Sequence, residues 1–370
     1  MLVVVAFHSF GLLTPFGKQY VPGGFLGVDL FFVLSGFLIT ALLLGEHAAR
    51  GRISFASFYR RRALRLLPAL VMLLAAHFMY SLIVDFPTKI EAQTAGAALF
   101  YILNWWVVLG NRINADLGHL WSLSMEEQFY LVWPLVVLLL LSFRRRFSTV
   151  VLILSGLIVA LIVHRVVLWH GGTPGLFLRV RTDTRADGLL IGALGAVLWT
   201  RGKVPRRGLA VAATVSSVFL VYCVFTPHSY DVYLAGGFTA VALACAIVVL
   251  AVMESGWFGA AVLGLAVLRA VGRVSYGLYL WHMPVMWAVA RATAGVPVIA
   301  KFAITLGLIG MITCASWYVI ERPFLRWKDR LAERSRERAE QTLQDTNRVE
   351  ARAVLVRPDE HVTTEMPPCC

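Results

Sequence analysis

The sequence predicts an all-α polytopic transmembrane helical bundle, with about ten spans plus one re-entrant or interfacial segment. Three observations lead there. First, 59% of the 370 residues are hydrophobic and only 15% are charged, against about 25% charged in soluble domains. Second, the apolar residues come in runs near the roughly 20 residues that a helix needs to cross the hydrocarbon, without the roughly ten-residue alternation of an outer-membrane barrel. Third, the Lys and Arg that make the net charge +13 sit in short loops between those runs, where they orient helices. A basic chain of this kind is not expected to bind nucleic acid; its partner is the bilayer.

Apolar runs fall at 1–13, 25–44, 66–85, 92–110, 128–142, 148–168, 186–200, 208–225, 232–253, 274–291 and 296–320. The first, Leu2 to Leu13, covers 12 residues. That is only about 18 Å of helix against a core near 30 Å, so this helix is expected to extend upstream of Met1. It has neither the positive n-region nor the cleavage site of a secretory signal. The loop 46–65 carries Arg50, Arg52, Arg60, Arg61, Arg62 and Arg65 and is expected in the cytoplasm. Strict alternation of all eleven runs would then put Arg144 to Arg146, Arg201 to Arg207 and the tail from Arg326 outside. If 92–110 enters and leaves on one side, every basic segment falls inside, and both termini are cytoplasmic. Asn104-Trp-Trp106 supports that reading, because Trp favours the interface and irregular backbone at depth must be buried in protein or line a cavity.

Two domains are therefore expected: a membrane domain over 1–326, and a charged, partly disordered cytoplasmic tail over 327–370. Of five Cys, Cys223, Cys245 and Cys314 lie in apolar runs and Cys369-Cys370 end the tail. They read as packing residues and tail thiols, with no metal-ligand spacing. No internal repeat, Walker loop or dinucleotide fingerprint is present, which argues against a transporter driven by its own ATPase.

Ionisable groups in a bundle of this kind are expensive, so each one is a candidate. His119-Leu-Trp-Ser-Leu-Ser-Met-Glu-Glu-Gln128 sets His119, Ser122, Ser124, Glu126 and Glu127 at the start of an apolar run. Ser124 and Glu127 could instead form a capping box, and consecutive carboxylates point to different faces, so at most one faces a central cavity. His8, among apolar neighbours, stays neutral and can accept a proton from an attacking hydroxyl; the alternative is a histidine hydrogen-bonded to a neighbouring helix. In Tyr59-Arg-Arg-Arg-Ala-Leu-Arg65, positive-inside orientation explains the charge. The i,i+4 spacing of Arg61 and Arg65 would also make a fork for phosphates, such as those of a cytosolic acyl-CoA. Asp29 needs an internal partner, and the glycines around it would allow close helix approach. Arg185 and Asp187 form a candidate ion pair at a helix mouth. Tyr276 and His282 lie in a later helix, where aromatic-belt anchoring competes with chemistry, and Glu321-Arg-Pro323 closes the last span.

Together these strings resemble the acyltransferase 3 family of bacterial membrane O-acyltransferases, which modify sugars and other acceptors at the cell envelope. The resemblance runs from His8 to Pro323. It rests on Gly27-Val-Asp-Leu-Phe-Phe-Val-Leu-Ser-Gly-Phe-Leu38, on Arg61-Arg-Ala-Leu-Arg65, on His119 to Gln128 and on Ser275-Tyr-Gly-Leu-Tyr-Leu-Trp-His282, in that order. It implies that His8 corresponds to the essential histidine of the first helix and that Arg61, Arg62 and Arg65 meet the acyl donor. It also implies a functional role for Glu126 or Glu127. The family's further Arg, roughly three helical turns ahead of this His, would lie before Met1. The expected cofactor status is no permanently bound group, with acyl-CoA, most simply acetyl-CoA, as co-substrate. The expected acceptor is a carbohydrate or lipid-linked glycan, and the expected location is the bacterial inner membrane. His8 would deprotonate the acceptor hydroxyl, with Glu127 or Asp29 holding its tautomer; an acyl group resting first on the protein is the competing version. Outside the enzyme class, a transporter or flippase of an envelope precursor, or an envelope-assembly scaffold docking through its tail, would share the bundle and its buried charges.

Overall fold

The computed structural model describes residues 1–14, 20–84, 86–142, 146–254, 256–331 and 341. Most of the expected tail, with Cys369 and Cys370, lies outside the described residues, as do Arg144 and Arg145. Among the described residues there is no β-strand, and each of the eleven apolar runs is helical.

Helix α1 is Leu2–Leu13 and α2 Gly27–Arg50, which ends where Gly51 takes the left-handed φ of 67° and returns its N–H to His47. A long α3, Phe55–Ile83, starts at a Ser54 cap whose Oγ accepts from the Ser57 N–H at 3.4 Å. The run at 92–110 is not one helix. It is divided into α4 (Thr88–Leu99) and α5 (Leu103–Val108), with Tyr101 between them at φ 56°. At about 1.5 Å per residue neither piece crosses a bilayer.

A 3₁₀ segment, Ala115–Leu120, leads into α6 (Trp121–Ser142), and α7 follows at Phe147–His170. Short α8 (Gly175–Val180) and α9 (Thr182–Arg185) introduce α10 (Asp187–Thr200) and α11 (Leu209–Phe225). After α12 (Tyr230–Val232) and a π-turn come α13 (Phe238–Glu254), α14 (Phe258–Leu263) and α15 (Ala266–Arg273). The chain ends its bundle with α16 (Ser275–Ala292) and α17 (Val298–Ser316). Among the described residues six stretches are long and apolar enough to cross a membrane: 24–50, 55–83, 115–141, 147–170, 230–254 and 298–331. The protein is therefore a multi-pass membrane protein.

Two boundaries differ from expectation. Glu126 and Glu127 do not sit at a helix start, because the helical segment begins at Ala115, where the Asn114 side chain accepts the Asp116 N–H at 3.0 Å. The Ser124 to Glu127 capping box is accordingly not formed, and the Ser124 hydroxyl donates to the Leu120 carbonyl one turn back. At the other end Pro323 does not stop the last helix. A π-turn at Trp317–Glu321 shifts the hydrogen-bond ladder just before it, where the missing proline N–H would otherwise break an i→i−4 bond, and the helix runs on to Leu331.

The centre of the bundle is α10, packed against α2, α7 and α13. Small residues permit this. A Cβ on Gly36 would come 1.9 Å from the Leu189 carbonyl oxygen, and one on Gly192 would come 2.0 Å from that of Val33, so the backbones of α2 and α10 touch. Phe32, Val33, Phe37, Leu189 and Ala193 fill the buried contact around them. A second core, with Leu70, Leu73, Leu117, Leu120 and Leu280, joins α3, the 3₁₀ segment and α16. A third, with Val5, Met286 and Ile309, joins α1, α16 and α17.

The antiparallel register of α3 and α6 sets the depth of the charged residues. The Tyr59 hydroxyl donates to the Leu131 carbonyl (2.7 Å), Arg62 reaches Glu127 (3.1 Å) and His77 reaches Asp116 (3.2 Å). The arginine run and the two glutamates therefore occupy the same level, far from Asp116.

Candidate active site

Where the three cores meet, α1, α2, α3, α6 and α16 leave a cavity of about 310 Å³. On α6 the residues Ser122, Glu126 and Tyr130 recur every four positions and face it together, as one helical stripe must. Arg62 and Arg65 enter from α3, Ser35 from α2, and Tyr276 and Tyr279 from α16. The Arg62 guanidinium lies 3.5 Å above the Tyr130 ring and donates to Glu127 Oε1 at 3.1 Å, while the Tyr130 hydroxyl donates to Glu126 Oε2 at 3.3 Å. Only Glu126 of the two carboxylates lines the cavity; Glu127 faces Arg62.

Beyond this cavity lies a row of imidazoles. One turn from the lining residue Val4, His8 has its ring centroid 5.3 Å from that of His282, and His282 is 4.9 Å from His119. Carbonyl oxygens only accept, so the donor in each contact is a ring nitrogen. His8 Nδ1 gives its proton to Val4 (3.1 Å), His282 Nδ1 to Tyr279 (2.6 Å) and His119 Nε2 to Leu280 (3.2 Å). These contacts assign the donating nitrogen of each ring as Nδ1 in His8 and His282 and Nε2 in His119. The Tyr279 hydroxyl donates to the His119 carbonyl at 2.6 Å, so the Ser122 hydroxyl, 2.9 Å away, must be the donor to Tyr279. A cavity with two arginines at one end and proton acceptors near the other can hold an anionic molecule and take a proton from a hydroxyl.

The sequence-predicted residues divide here. Arg62, Arg65, Ser122, Glu126 and Tyr276 line the cavity, and His8, His119 and His282 form the row beside it. His282 is fully buried, so the expected aromatic-belt role of its helix face does not hold; Tyr276 is likewise committed inward, donating to the Leu66 carbonyl at 2.8 Å. The fork of Arg61 and Arg65 is not formed, because Arg61 turns to Glu46 at 3.2 Å. Arg185 and Asp187 do not pair with each other. Arg185 holds Asp29 at 2.6 Å, over the Phe238 ring, and Asp187 accepts from Arg165 at 2.9 Å and from Thr239 at 2.6 Å. Ser124 is buried against its own helix and does not line the cavity.

Several residues escaped the sequence reading. Arg165, 0% exposed, sits in the C-terminal part of α7 and also donates to the Leu234 and Thr184 carbonyls. Gln128 binds the α4–α5 break, donating to the Tyr101 carbonyl (2.7 Å) and to Asn104 (2.9 Å) while accepting from Thr182 (2.6 Å). A buried network of His77, Glu91, Asn114 and Asp116 pins the segment that carries His119, with the more exposed Arg291 gripping both Asp116 oxygens at 2.7 and 2.6 Å. Ser35 and Tyr279 lie inside the strings already singled out and Tyr130 two residues past one, each one or two turns from a chosen residue, and helical spacing was the signal for them.

The profile of a family described as an acyltransferase domain matches residues 1–321. The chain belongs to the acyltransferase 3 family. The chain is 32% identical over 304 residues to the peptidoglycan O-acetyltransferase OatA of Listeria monocytogenes, covering 77% of this chain and 47% of that protein. It is 30% identical to the putative peptidoglycan O-acetyltransferase YrhL of Bacillus subtilis, over 82% of this chain and 51% of the relative. A putative O-acetyltransferase of Staphylococcus aureus is 34% identical, over 83% and 54%. The chain thus spans about half the length of the curated relatives it matches. No solved structure matches it.

Proposed function

We propose that this acyltransferase moves an acetyl group from acetyl-CoA, bound at the cytoplasmic end of the bundle, to a sugar hydroxyl of an envelope glycan such as peptidoglycan. The observation that carries the reading is the cavity of about 310 Å³ in which Arg62, Arg65, Glu126 and Ser122 converge, with the histidine row one turn beyond. In this reading the inner membrane holds ten crossings, with 88–108 entering and leaving on one side and both ends of the chain in the cytoplasm. The basic loops at 46–65 and 201–207 support that orientation, and residues 1–326 act as the membrane domain.

In the proposed reaction His8 Nε2 removes the proton from the acceptor hydroxyl as its oxygen attacks the acetyl carbonyl. The oxygen–carbon bond forms, the carbon–sulfur bond breaks, and the departing thiolate takes the proton back from the His8 imidazolium. The Nδ1 bond to Val4 holds His8 in the tautomer this requires. Arg62, held by Glu127 and stacked on Tyr130, stabilises negative charge at the donor end, and Glu126 orients the substrate. The names of the relatives support both the acetyl group and a peptidoglycan acceptor.

The test is transfer of radiolabelled acetyl from acetyl-CoA into envelope glycan by membranes carrying the full chain. Label should enter an alkali-labile ester, and His8→Ala should slow transfer by about 10²–10⁴ without loss of inserted protein. Equal rates for the two would remove His8 from the chemistry; no transfer by the folded wild type would remove acetyl-CoA as donor.

A further inference from the structure

Against the cytoplasmic end of this cavity lies a second recess, of about 750 Å³, that the proposed function does not use. Arg65, Arg269, Arg273 and Lys328 line it, with Glu321 as the one carboxylate. Arg269 and Arg273 are i and i+4 on α15, so they share one face of that helix. The cluster therefore gathers four cations from α3, α15 and the extension of α17, three elements remote in sequence.

Like charges gathered at one place repel, and a cluster of them focuses a positive potential. Local carboxylates do not cancel this one. Among the described residues Arg65, Arg269 and Arg273 form no ion pair, and Lys328 meets only its neighbour Asp329, at 3.4 Å. One carboxylate, Glu321, stands against four cations; it interacts with Arg65 while also accepting from Ser316 at 3.2 Å and packing against Gly277, where a Cβ would come 2.6 Å from its oxygen. Positive-inside orientation accounts for the sign of the charges but not for a concave site.

The two cavities adjoin. Arg65, Ser275 and Tyr276 line both, and Tyr276 is fixed in the shared wall by its bond to the Leu66 carbonyl. A molecule with several phosphates at one end and a thin chain at the other could lie across that wall. Resting on the acetyl-CoA reading above, we infer that Arg65, Arg269, Arg273 and Lys328 bind the phosphates of the donor's nucleotide, so that its thioester arm passes Tyr276 into the cavity. Arg61, occupied by Glu46, takes no part. The recess rather than the arginine run then sets donor affinity.

The test is calorimetric binding of CoA, dephospho-CoA and pantetheine to the full chain in phosphatidylcholine nanodiscs, for wild type, Arg269→Gln/Arg273→Gln and Arg269→Lys/Arg273→Lys. Charge-assisted bonds to phosphate lead us to expect the Gln variant to lose at least about tenfold in CoA affinity. Pantetheine, which lacks the nucleotide, should bind both proteins equally, and the Lys variant should recover part of the loss. Salt should weaken CoA binding to wild type more steeply than to the Gln variant. If the Gln variant, folded by its melting curve, binds CoA like wild type, the recess assignment is overturned and the donor reading stands. If wild type binds no CoA, both fall. A parallel set in phosphatidylglycerol nanodiscs separates lipid from nucleotide: loss of retained phosphatidylglycerol with unchanged CoA affinity would make the recess a lipid-headgroup site and overturn the proposal.

Discussion

Around α10, and again around the cavity, arginines meet carboxylates inside the bundle, yet the two regions are built differently. At α10 each arginine meets a carboxylate between closely packed helices. Arg165 is spent on Asp187, Thr239 and two carbonyls, Arg185 on Asp29, and Gly36 and Gly192 bring the helix backbones into contact around them. At the cavity Arg62 has Glu127 and Tyr130 on one side and open volume on the other, and Glu126 and Arg65 face that volume directly. Buried charge marks both regions; room for a ligand marks only one. The lesson is that an ionisable residue in a membrane helix becomes a candidate for chemistry through the space beside it, and through its charge alone it is equally a structural clamp.

The comparison breaks most visibly at Arg165. Arg165→Met leaves Asp187 buried without its cation, so it should cost about 3–5 kcal/mol of stability, read as a lower unfolding midpoint in detergent. Arg165→Met/Asp187→Leu should recover much of that loss, since two well-packed apolar residues replace the pair. A single variant as stable as wild type would mean that α10 is not held by this clamp. Arg62→Gln sharpens the other side. It should leave the midpoint near that of wild type but lower acetyl transfer about ten- to hundredfold, the scale of a lost charge-assisted bond. A fall in the midpoint as large as that of Arg165→Met would erase the distinction between the regions. The smallest effect belongs to Arg61→Gln, whose half-exposed pair with Glu46 is worth at most about 1 kcal/mol, with CoA affinity unchanged in the calorimeter. A large loss there would return the phosphates to the arginine run.

Much of the fold was legible, and for a simple reason. A helix in lipid must satisfy its backbone within itself and cover its length with apolar side chains, so the runs announce the helices. For 92–110 the sequence suggested a segment that enters and leaves on one side; the division into α4 and α5 at Tyr101 came from the structure. The start of α6 was not. Residues 115–127 are too polar to look like a span, yet they are helical because Arg62, Arg291 and the Tyr279 hydroxyl satisfy them from other elements. Arg165 was invisible because it lies inside one of the most apolar runs and its partners are 19 to 74 residues away.

What the sequence determined by itself was the membrane class, the helix positions and the residue types able to move protons and bind phosphate, since these follow from composition, spacing and side-chain chemistry within single elements. Tertiary structure decided the partners. Neighbouring residues on a helix point about 100° apart, so Arg61 reaches Glu46 while Arg62 reaches Glu127, and Glu126 faces a cavity from which Glu127 is turned away. It also brought His8, His119 and His282, from three separate elements, into one row. Local spacing fixes the face on which a side chain emerges, and only the packing of distant helices fixes what that face meets.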